Sequence, residues 1–180
     1  MEKAFCCAPD FPVVQTNYGP VRGYRFREIS SFKGIPYFSP ELFRVARLRD
    51  PLKSKQLQKG LQELGEEGAI QVFENLGTGA LLLGAVGVLQ FEVVAQRLQT
   101  EYKVDAIFEP ADINTARWLT FPDEVTRKNF EREQQHRMAK DVDGNYVYLA
   151  STRYNLDVTR EKWTKVGFHA SREHGQKLSN

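Results

Sequence analysis

Cysteine is scarce in this sequence, and its two copies are adjacent. The 180-residue chain contains only Cys6 and Cys7, and a disulfide between neighbouring residues would be strained. The arrangement fits neither a disulfide framework nor a zinc site built from spaced cysteine pairs. It indicates a reducing compartment, and we therefore expect a cytoplasmic protein.

Long apolar runs and a strong charge of one sign are also missing. No apolar run approaches the roughly 20 residues that span a bilayer, and the first residues are too polar for a secretory signal. We therefore expect no membrane partner. The formal net charge is only +2, so any nucleic-acid contact would depend on local clusters of basic residues.

The motifs of common enzymes are absent. The glycine-containing stretch GTGALLLGAVGVLQ has no Lys-Ser or Lys-Thr after its glycines, as a phosphate-binding P-loop requires. The spacing of Gly79, Gly84 and Gly87 does not match a dinucleotide fingerprint. The chain has no G-x-S-x-G nucleophile elbow, and its three histidines are far apart. The sequence predicts no catalytic residue, no bound cofactor and no metal.

The first forty residues are predicted to be a hairpin and a connector. Val13 to Thr16 and Val21 to Phe26 are rich in β-favouring residues and flank a turn with Asn17, Gly19 and Pro20. The following ISSFKGIPYFSP contains two prolines that favour extended backbone. We place the first domain boundary at residue 40.

Residues 41–109 have the pattern of a split β-α-β unit. A strand from Leu42 leads into Asp50-Pro51, an N-cap with proline at the first helical position. Leucines then recur at helical spacing, the strands AIQVFEN and ALLLGAVG follow, and Phe91, Val94 and Leu98 indicate a second helix before the strand KVDAIFE. The order predicts a ferredoxin-like fold in the α+β class, with two helices on one face of an antiparallel sheet. We expect the other face to stay available.

Residues 110–180 are predicted to form a smaller α+β unit packed on the first. Its predicted elements are the strand INTARWLTF, the helix DEVTRKNFEREQQHRM, the strand NYVYLAS, the helix TRYNLDVTREKW and the strand KVGFHA. This order shows no evident duplication of the first unit.

Gly84 and Gly87 pose a choice between a phosphate cradle and a tight turn. Because the charged residues of a P-loop are missing, we interpret both glycines as structural, allowing a close turn from a buried strand into a helix. If Gly87 needs a positive φ, valine in its place would destabilise the turn by about one to a few kcal/mol.

Basic residues are clustered in three short segments. Folded RNA presents phosphate oxygens that surface lysine and arginine can contact without any particular motif. The alternative is a solvated helix face with intrahelical ion pairs to Glu131 and Glu133. The candidate contacts are Arg44, Arg47, Arg49, Lys53, Lys55, Lys59, Arg127, Lys128 and Arg132.

Longer strings resemble a known family. The sequences FKGIPYFSPELFRVARLRDPLKSKQLQKGLQELGEEGAIQVF, GAVGVLQFEVVAQRLQTEYKVDAIFEP, TARW and FHASREH are similar to the C-terminal domain of bacterial peptide chain release factor 3, a translational GTPase. The resemblance covers residues 34–174. GAVGVLQFEVVAQRLQTEYKV also resembles a helix region in the third domain of elongation factor G, which has the split β-α-β fold.

The resemblance implies a role in translation termination. In this family a GTPase domain and a β-barrel precede the segment, neither is present in full, and GTP would belong to the missing GTPase domain. The resemblance therefore implies a non-catalytic domain that docks on the ribosome, through rRNA and ribosomal proteins, and acts indirectly on class I release factors.

Residues 11–37 resemble a different family. PVVQTNYGPVRGYRFREISSFKGIPYF is similar to the N-terminal strands of type B carboxylesterases, which implies a fusion joined at FKGIPYF. The alternative is that residues 11–37 are an unusual version of the strands of the family's β-barrel domain. The segment lacks a catalytic triad, so it implies no hydrolysis. Two alternatives to ribosome docking stay open: a self-associating structural module, as a homo-oligomer, and an esterase remnant.

Overall fold

The computed structural model describes residues 40–171 continuously, together with four short backbone segments before them. These segments are the strands β1 (Val13–Thr16), β2 (Gly19–Arg22), β3 (Tyr24–Phe26) and β4 (Ile29–Ser31). β1 pairs with β2 and β3 pairs with β4, both antiparallel. The predicted hairpin is confirmed, but the predicted single strand from Val21 to Phe26 is wrong. Glycine stands between β2 and β3 in the sequence, and glycine weakens a strand interior.

The first unit has the predicted element order. It consists of β5 (Leu42–Leu48), a 3-10 turn (Pro51–Lys53), α1 (Ser54–Glu66), β6 (Gln71–Asn75), β7 (Leu81–Ala85), α2 (Val88–Glu101) and β8 (Ala106–Pro110). The strands lie in the order β6-β7-β5-β8, and every neighbouring pair is antiparallel. This is the ferredoxin-like arrangement, so the predicted fold class is confirmed.

Local signals set the limits of α1. The carboxylate of Asp50 accepts a hydrogen bond from the Leu52 amide at 3.1 Å, and Pro51 occupies the first helical position. Both features stabilise a helix start. Past the end of the helix, Gly68 has φ of +80°, which glycine adopts without steric cost.

The second unit contains a strand that the sequence analysis missed. Its elements are β9 (Thr115–Thr120), α3 (Glu124–Gln134), a 3-10 turn (Gln135–Arg137), β10 (Met138–Asp141), β11 (Tyr146–Ala150), α4 (Arg153–Lys162) and β12 (Gly167–His169). The strand order is β12-β9-β11-β10, again antiparallel throughout. The second unit therefore repeats the split β-α-β topology of the first. The expectation of no duplication is wrong at the level of topology.

The two units join edge to edge in one eight-stranded sheet. β10 pairs with β6, antiparallel, with Ala139 opposite Asn75, Lys140 opposite Glu74 and Asp141 opposite Phe73. Since β6 and β10 are the second strands of their units, antiparallel pairing relates the units by an approximate two-fold axis. The placement of domain boundaries at residues 40 and 109 stays a prediction.

Apolar side chains gather on both faces of the sheet. In the first unit, leucines of α1 and Phe91, Val94 and Leu98 of α2 pack on the helix-bearing face. In the second unit, Phe130 and Leu156 of the helices pack on the corresponding face.

The helix-free faces of the two units share a third core. Phe43 and Phe73 of the first unit pack with Trp118 and Val147 of the second, and the Phe73 and Trp118 rings are 6.2 Å apart. The expectation that this face of the first unit stays available is therefore wrong. Phe43, Phe73 and Leu82 of this face are buried, and the second unit contributes side chains to the same core.

Gly84 and Gly87 have different structural roles. Gly84 lies inside β7, and a Cβ there would come within 2.8 Å of Pro40 Cγ and 3.0 Å of Phe73 Cε2. Gly87 is the N-cap of α2 with φ of −135°, and a Cβ there would meet no atom within 4 Å. The Gln90 side chain accepts from the Val86 and Gly87 amides. Close packing therefore requires Gly84, whereas Gly87 needs neither a positive φ nor missing bulk.

Exchanging each glycine for alanine should separate these roles. We expect Gly84→Ala to lower the free energy of unfolding by about 1 to 3 kcal/mol, because the new methyl overpacks Pro40 and Phe73. Gly87→Ala should change it by less than about 0.5 kcal/mol. Urea unfolding followed by circular dichroism measures both, and an equal loss in the two variants would contradict the assignment.

Candidate functional site

The arginines on β5 and just after it already have partners within the chain. The Arg44 guanidinium lies over the Phe91 ring at 4.7 Å from its centroid. Arg47 Nε is 2.5 Å from Glu109 Oε2, and Arg49 Nη1 is 3.4 Å from Asp105 Oδ2. These contacts tie β5 to α2 and to the β8 edge of the sheet.

Two of the three lysines around α1 are also engaged. Lys53 Nζ donates to the Lys103 carbonyl oxygen at 2.5 Å, and Lys59 Nζ lies 3.7 Å from Glu63 Oε1. Lys55 is exposed and forms no ion pair within residues 40–171. It lines a shallow surface depression with Lys59 and the polar side chains of the same helix face.

The basic residues of α3 form the ion pairs that the alternative interpretation expected. Arg127 Nη1 is 2.9 Å from Glu131 Oε2, and its Nη2 is 3.1 Å from Glu124 Oε1. Lys128 pairs with Glu124 at 3.2 Å. Hydrogen bonding from Lys128, reinforced by its charge and by Arg127, holds the pKa of Glu124 below its usual value.

The predicted contact residues therefore do not form one site. Arg44 to Lys59 belong to the first unit, and Arg127 to Arg132 belong to α3 in the second. Arg127 has only 18% of its side chain exposed and also donates to the Tyr146 hydroxyl, so its role is structural. Within the described part, Lys55 and Arg132 are the two members of the set without an internal partner.

Two buried polar residues, one in each unit, form hydrogen bonds with the turns of the two central hairpins. Asn75 ends β6, and its Oδ1 accepts from the amides of Gly77 and Thr78, both at 2.9 Å. Asp141 ends β10, and its Oδ1 accepts from the amides of Asp143 and Asn145. The two residues occupy equivalent positions in the two units, and each folds the turn that follows its strand.

Each of these side chains also reaches beyond its own hairpin. Asn75 Nδ2 donates to the His136 carbonyl oxygen across the junction at 2.9 Å. Asp141 Oδ2 accepts from Trp118 Nε1 at 2.9 Å. Asx residues before a glycine-containing turn were visible in the sequence, but their placement at a unit junction depends on the pairing of β6 with β10.

Two surface features escaped the sequence analysis. Arg117 lies on β9 opposite Tyr148, whose hydroxyl is 2.9 Å from Thr159 Oγ1 of α4, so Arg117 is beside the helix that carries Arg153 and Arg160. In addition, four apolar residues at the start of α2 are about half exposed or more: Val86, Val88, Leu89 and Val93. Their residue types fit a buried helix face, which is why the pattern alone did not identify them as surface residues.

The described residues hold no group of three or more His, Cys, Asp or Glu side chains arranged to bind a metal. No helix in that part of the chain is both long enough and apolar enough to cross a membrane. His169 accepts or donates a hydrogen bond with the Thr120 hydroxyl at 2.9 Å, which makes it part of the β9–β12 contact.

Comparison with known proteins identifies the family. The sequence model of the class II release factor RF3 C-terminal domain matches residues 32–160. That range includes both units up to most of α4. The chain belongs to the RF3 family.

A curated relative supports the assignment in detail. The peptide chain release factor 3 of Aromatoleum aromaticum (strain DSM 19018 / LMG 30748 / EbN1) is 82% identical over 148 residues. The match covers 82% of this chain and 27% of that protein, so the chain spans about a quarter of the relative's length. The predicted resemblance to the RF3 C-terminal domain is confirmed. The segment before residue 32 lies outside the family match, and its esterase resemblance stays a prediction.

Replacing Asp141 should test the buried hairpin closure. Asp141→Ala would leave Trp118 Nε1 and two turn amides without this acceptor, and we expect a loss of about 2 to 4 kcal/mol in the free energy of unfolding. Asp112→Ala, at an exposed aspartate, is the matched control and should change it by less than about 0.5 kcal/mol. Equal losses in urea unfolding would show that Asp141 does not close the hairpin.

Proposed function

We propose that this chain is a non-catalytic, ribosome-docking domain that acts in translation termination and in the recycling of class I release factors. The observation that carries the proposal is the 82% identity to a protein named peptide chain release factor 3 over 148 residues. In this proposal the chain works by binding in the cytoplasm, and GTP is bound by another domain of the complete factor.

The architecture suits a binding platform. The apolar faces of both units are covered by helices or by the other unit. Contacts with a partner therefore come from the outer helix faces, the hairpins and the sheet edges. A single sheet running through both units holds these surfaces in a fixed relation, which lets several weak contacts act together.

Charge supports a partner rich in phosphate. Lys55 and Arg132 are exposed without an internal acidic partner among the described residues, and the two lie on different units. Residues such as Arg47 and Arg49 already neutralise carboxylates, so they would have to break an ion pair to contact RNA. The role of the nine predicted basic residues as ribosome contacts stays a prediction.

Self-association is the competing function, and the sheet edges bear on it. β8 is one open edge of the eight-stranded sheet. It carries Glu109, which pairs with Arg47 of β5, and it follows Asp105, which pairs with Arg49 just after β5. Charged edge strands disfavour edge-to-edge pairing, which supports a chain that docks on another partner. Light scattering over a range of protein concentrations measures its oligomeric state.

Co-sedimentation with purified 70S ribosomes tests the docking proposal. The 180-residue chain should pellet with ribosomes at low salt and should be released as salt rises, because phosphate contacts displace counterions. Unlabelled full-length release factor 3 from Aromatoleum aromaticum should compete with it. The chain centrifuged without ribosomes is the control, and failure to pellet at any salt concentration would contradict independent docking.

A further inference from the structure

The second unit holds a cluster of three arginines on its helix-bearing side. Arg153 and Arg160 are seven residues apart on α4, two helical turns, so both project from the same side of the helix. Arg117 lies on β9 directly opposite Tyr148 of β11. The Tyr148 hydroxyl is 2.9 Å from Thr159 Oγ1 of α4, which places Arg117 beside that helix.

Two hydrogen bonds hold the Arg117 guanidinium in place. Its Nη1 donates to Thr115 Oγ1 and to the Ala116 carbonyl oxygen, both at 2.7 Å. Burial lowers its pKa, and the positive charges of Arg160 and Arg153 lower it further. Arg117 is thus fixed beside the helix that carries Arg153 and Arg160, and an anion bound between the strand and the helix would be stabilised by their positive charges.

The two exposed members of the cluster differ from Arg47 and Arg49, which are also exposed but each pair with a carboxylate. Arg132 and Arg137 resemble the two α4 arginines in being exposed without an ion pair among the described residues. Arg153 and Arg160 form no ion pair with any described residue. Asp157 lies between them on α4 and is also exposed, so Arg153, Arg160 and this aspartate together carry a net charge of about +1.

The neighbouring surface favours RNA over an acidic protein. Tyr154 follows Arg153 on α4 and has 74% of its surface exposed. An exposed aromatic ring beside arginines can stack an unpaired base while the guanidinium groups bind phosphate. Guanidinium also matches phosphate geometry with two parallel hydrogen bonds.

We propose that Arg117, Arg153 and Arg160, with Tyr154 beside them, form a phosphate-binding site for an unpaired RNA segment. This proposal rests on the proposed ribosome docking, and it specifies the chemistry of one contact between the chain and the ribosome. The site lies on the second unit, away from the basic residues of β5 and α1. Within the site, hydrogen bonds hold the Arg117 side chain in place, whereas the side chains of Arg153 and Arg160 are exposed on α4.

Paired substitutions that remove two charges each test the site. The double variant R153Q/R160Q alters only exposed side chains, and R47Q/R49Q removes the same charge from arginines that are already ion-paired. Binding of a fluorescein-labelled RNA hairpin with an unpaired loop is measured by anisotropy between about 50 and 200 mM KCl. Thermal unfolding of each variant confirms that it is folded.

The site predicts different results for the two variants. R153Q/R160Q should lower hairpin affinity about tenfold or more and should reduce the slope of log K against log salt by about two, one for each lost phosphate contact. R47Q/R49Q should leave the slope unchanged. Y154A should weaken binding with little change in slope, because stacking releases no counterions. Equal effects of the two double variants, or no effect of either, would overturn the site.

Two further comparisons distinguish an RNA-binding site from an acidic protein partner, and the site from ribosome docking. In the first, poly-glutamate and unlabelled RNA are compared as competitors of the labelled hairpin. If they compete equally well and Y154A has no effect, the partner is an acidic protein and the RNA assignment is overturned. Loss of hairpin binding in R153Q/R160Q without any ribosome pelleting of the parent chain would support the site but contradict ribosome docking. Unchanged hairpin binding in that variant, with normal pelleting of the parent chain, would overturn the site and leave docking intact.

Discussion

The pairing of β6 with β10 holds the two halves of this chain together. Without it, each ferredoxin-like unit would expose an edge strand with unpaired backbone groups and a helix-free face with apolar side chains. The antiparallel register from Ala139 opposite Asn75 to Asp141 opposite Phe73 joins both edges. The same contact brings Phe73 and Trp118 into one core. Asn75 and Asp141, at the ends of the two strands, then fold the hairpins on either side of the junction.

This constraint determines which surfaces can meet a partner. Because apolar side chains on the helix-free faces of both units pack into one shared core, the outer faces of the helices and the two sheet edges are the surfaces considered for a partner. At the β8 edge, arginines of β5 are paired with carboxylates, and on α3 Arg127 is paired with two glutamates. Among the described residues, exposed cations without an ion pair include Lys55 of α1, Arg132 of α3, and Arg153 and Arg160 of α4. The proposed arginine site depends on Arg153 and Arg160, which form no ion pair with a described residue, whereas the assignment to a release-factor domain depends on the family match.

The sequence was sufficient where local signals are strong. The Asp50-Pro51 cap, the leucine spacing of α1 and the apolar run of β7 predicted the first unit and its topology. The strand β10 was missed because Met138–Asp141 follows a helix and a 3-10 turn, and its alanine, lysine and aspartate have weak strand propensity. Pairing with β6 on one side and β11 on the other stabilises it, and such long-range contacts leave no local pattern. Without this four-residue strand, neither the repeated topology nor the third core could be predicted.

The basic residues, like the strands, were predictable where the signal is local and were not where it depends on the fold. Clusters of lysine and arginine near one another in the sequence were easy to identify, but helical spacing also placed acidic partners beside several of them. The proposed site joins Arg117 of β9 to Arg153 and Arg160 of α4, which lie more than thirty positions later in the sequence, so only the fold reveals it. Gly87 was expected to be conformationally essential, yet its φ of −135° is accessible to any residue.

Native-state hydrogen exchange of the backbone amides in β6 and β10 tests most directly whether the two units form one cooperative platform. If the shared sheet and the third core join the units, protected amides in both strands should exchange with the same free energy of opening, equal to that of global unfolding. If β10 and the rest of the second unit exchange at a distinctly lower free energy than β6, the units unfold separately, and the account of a single docking platform is contradicted.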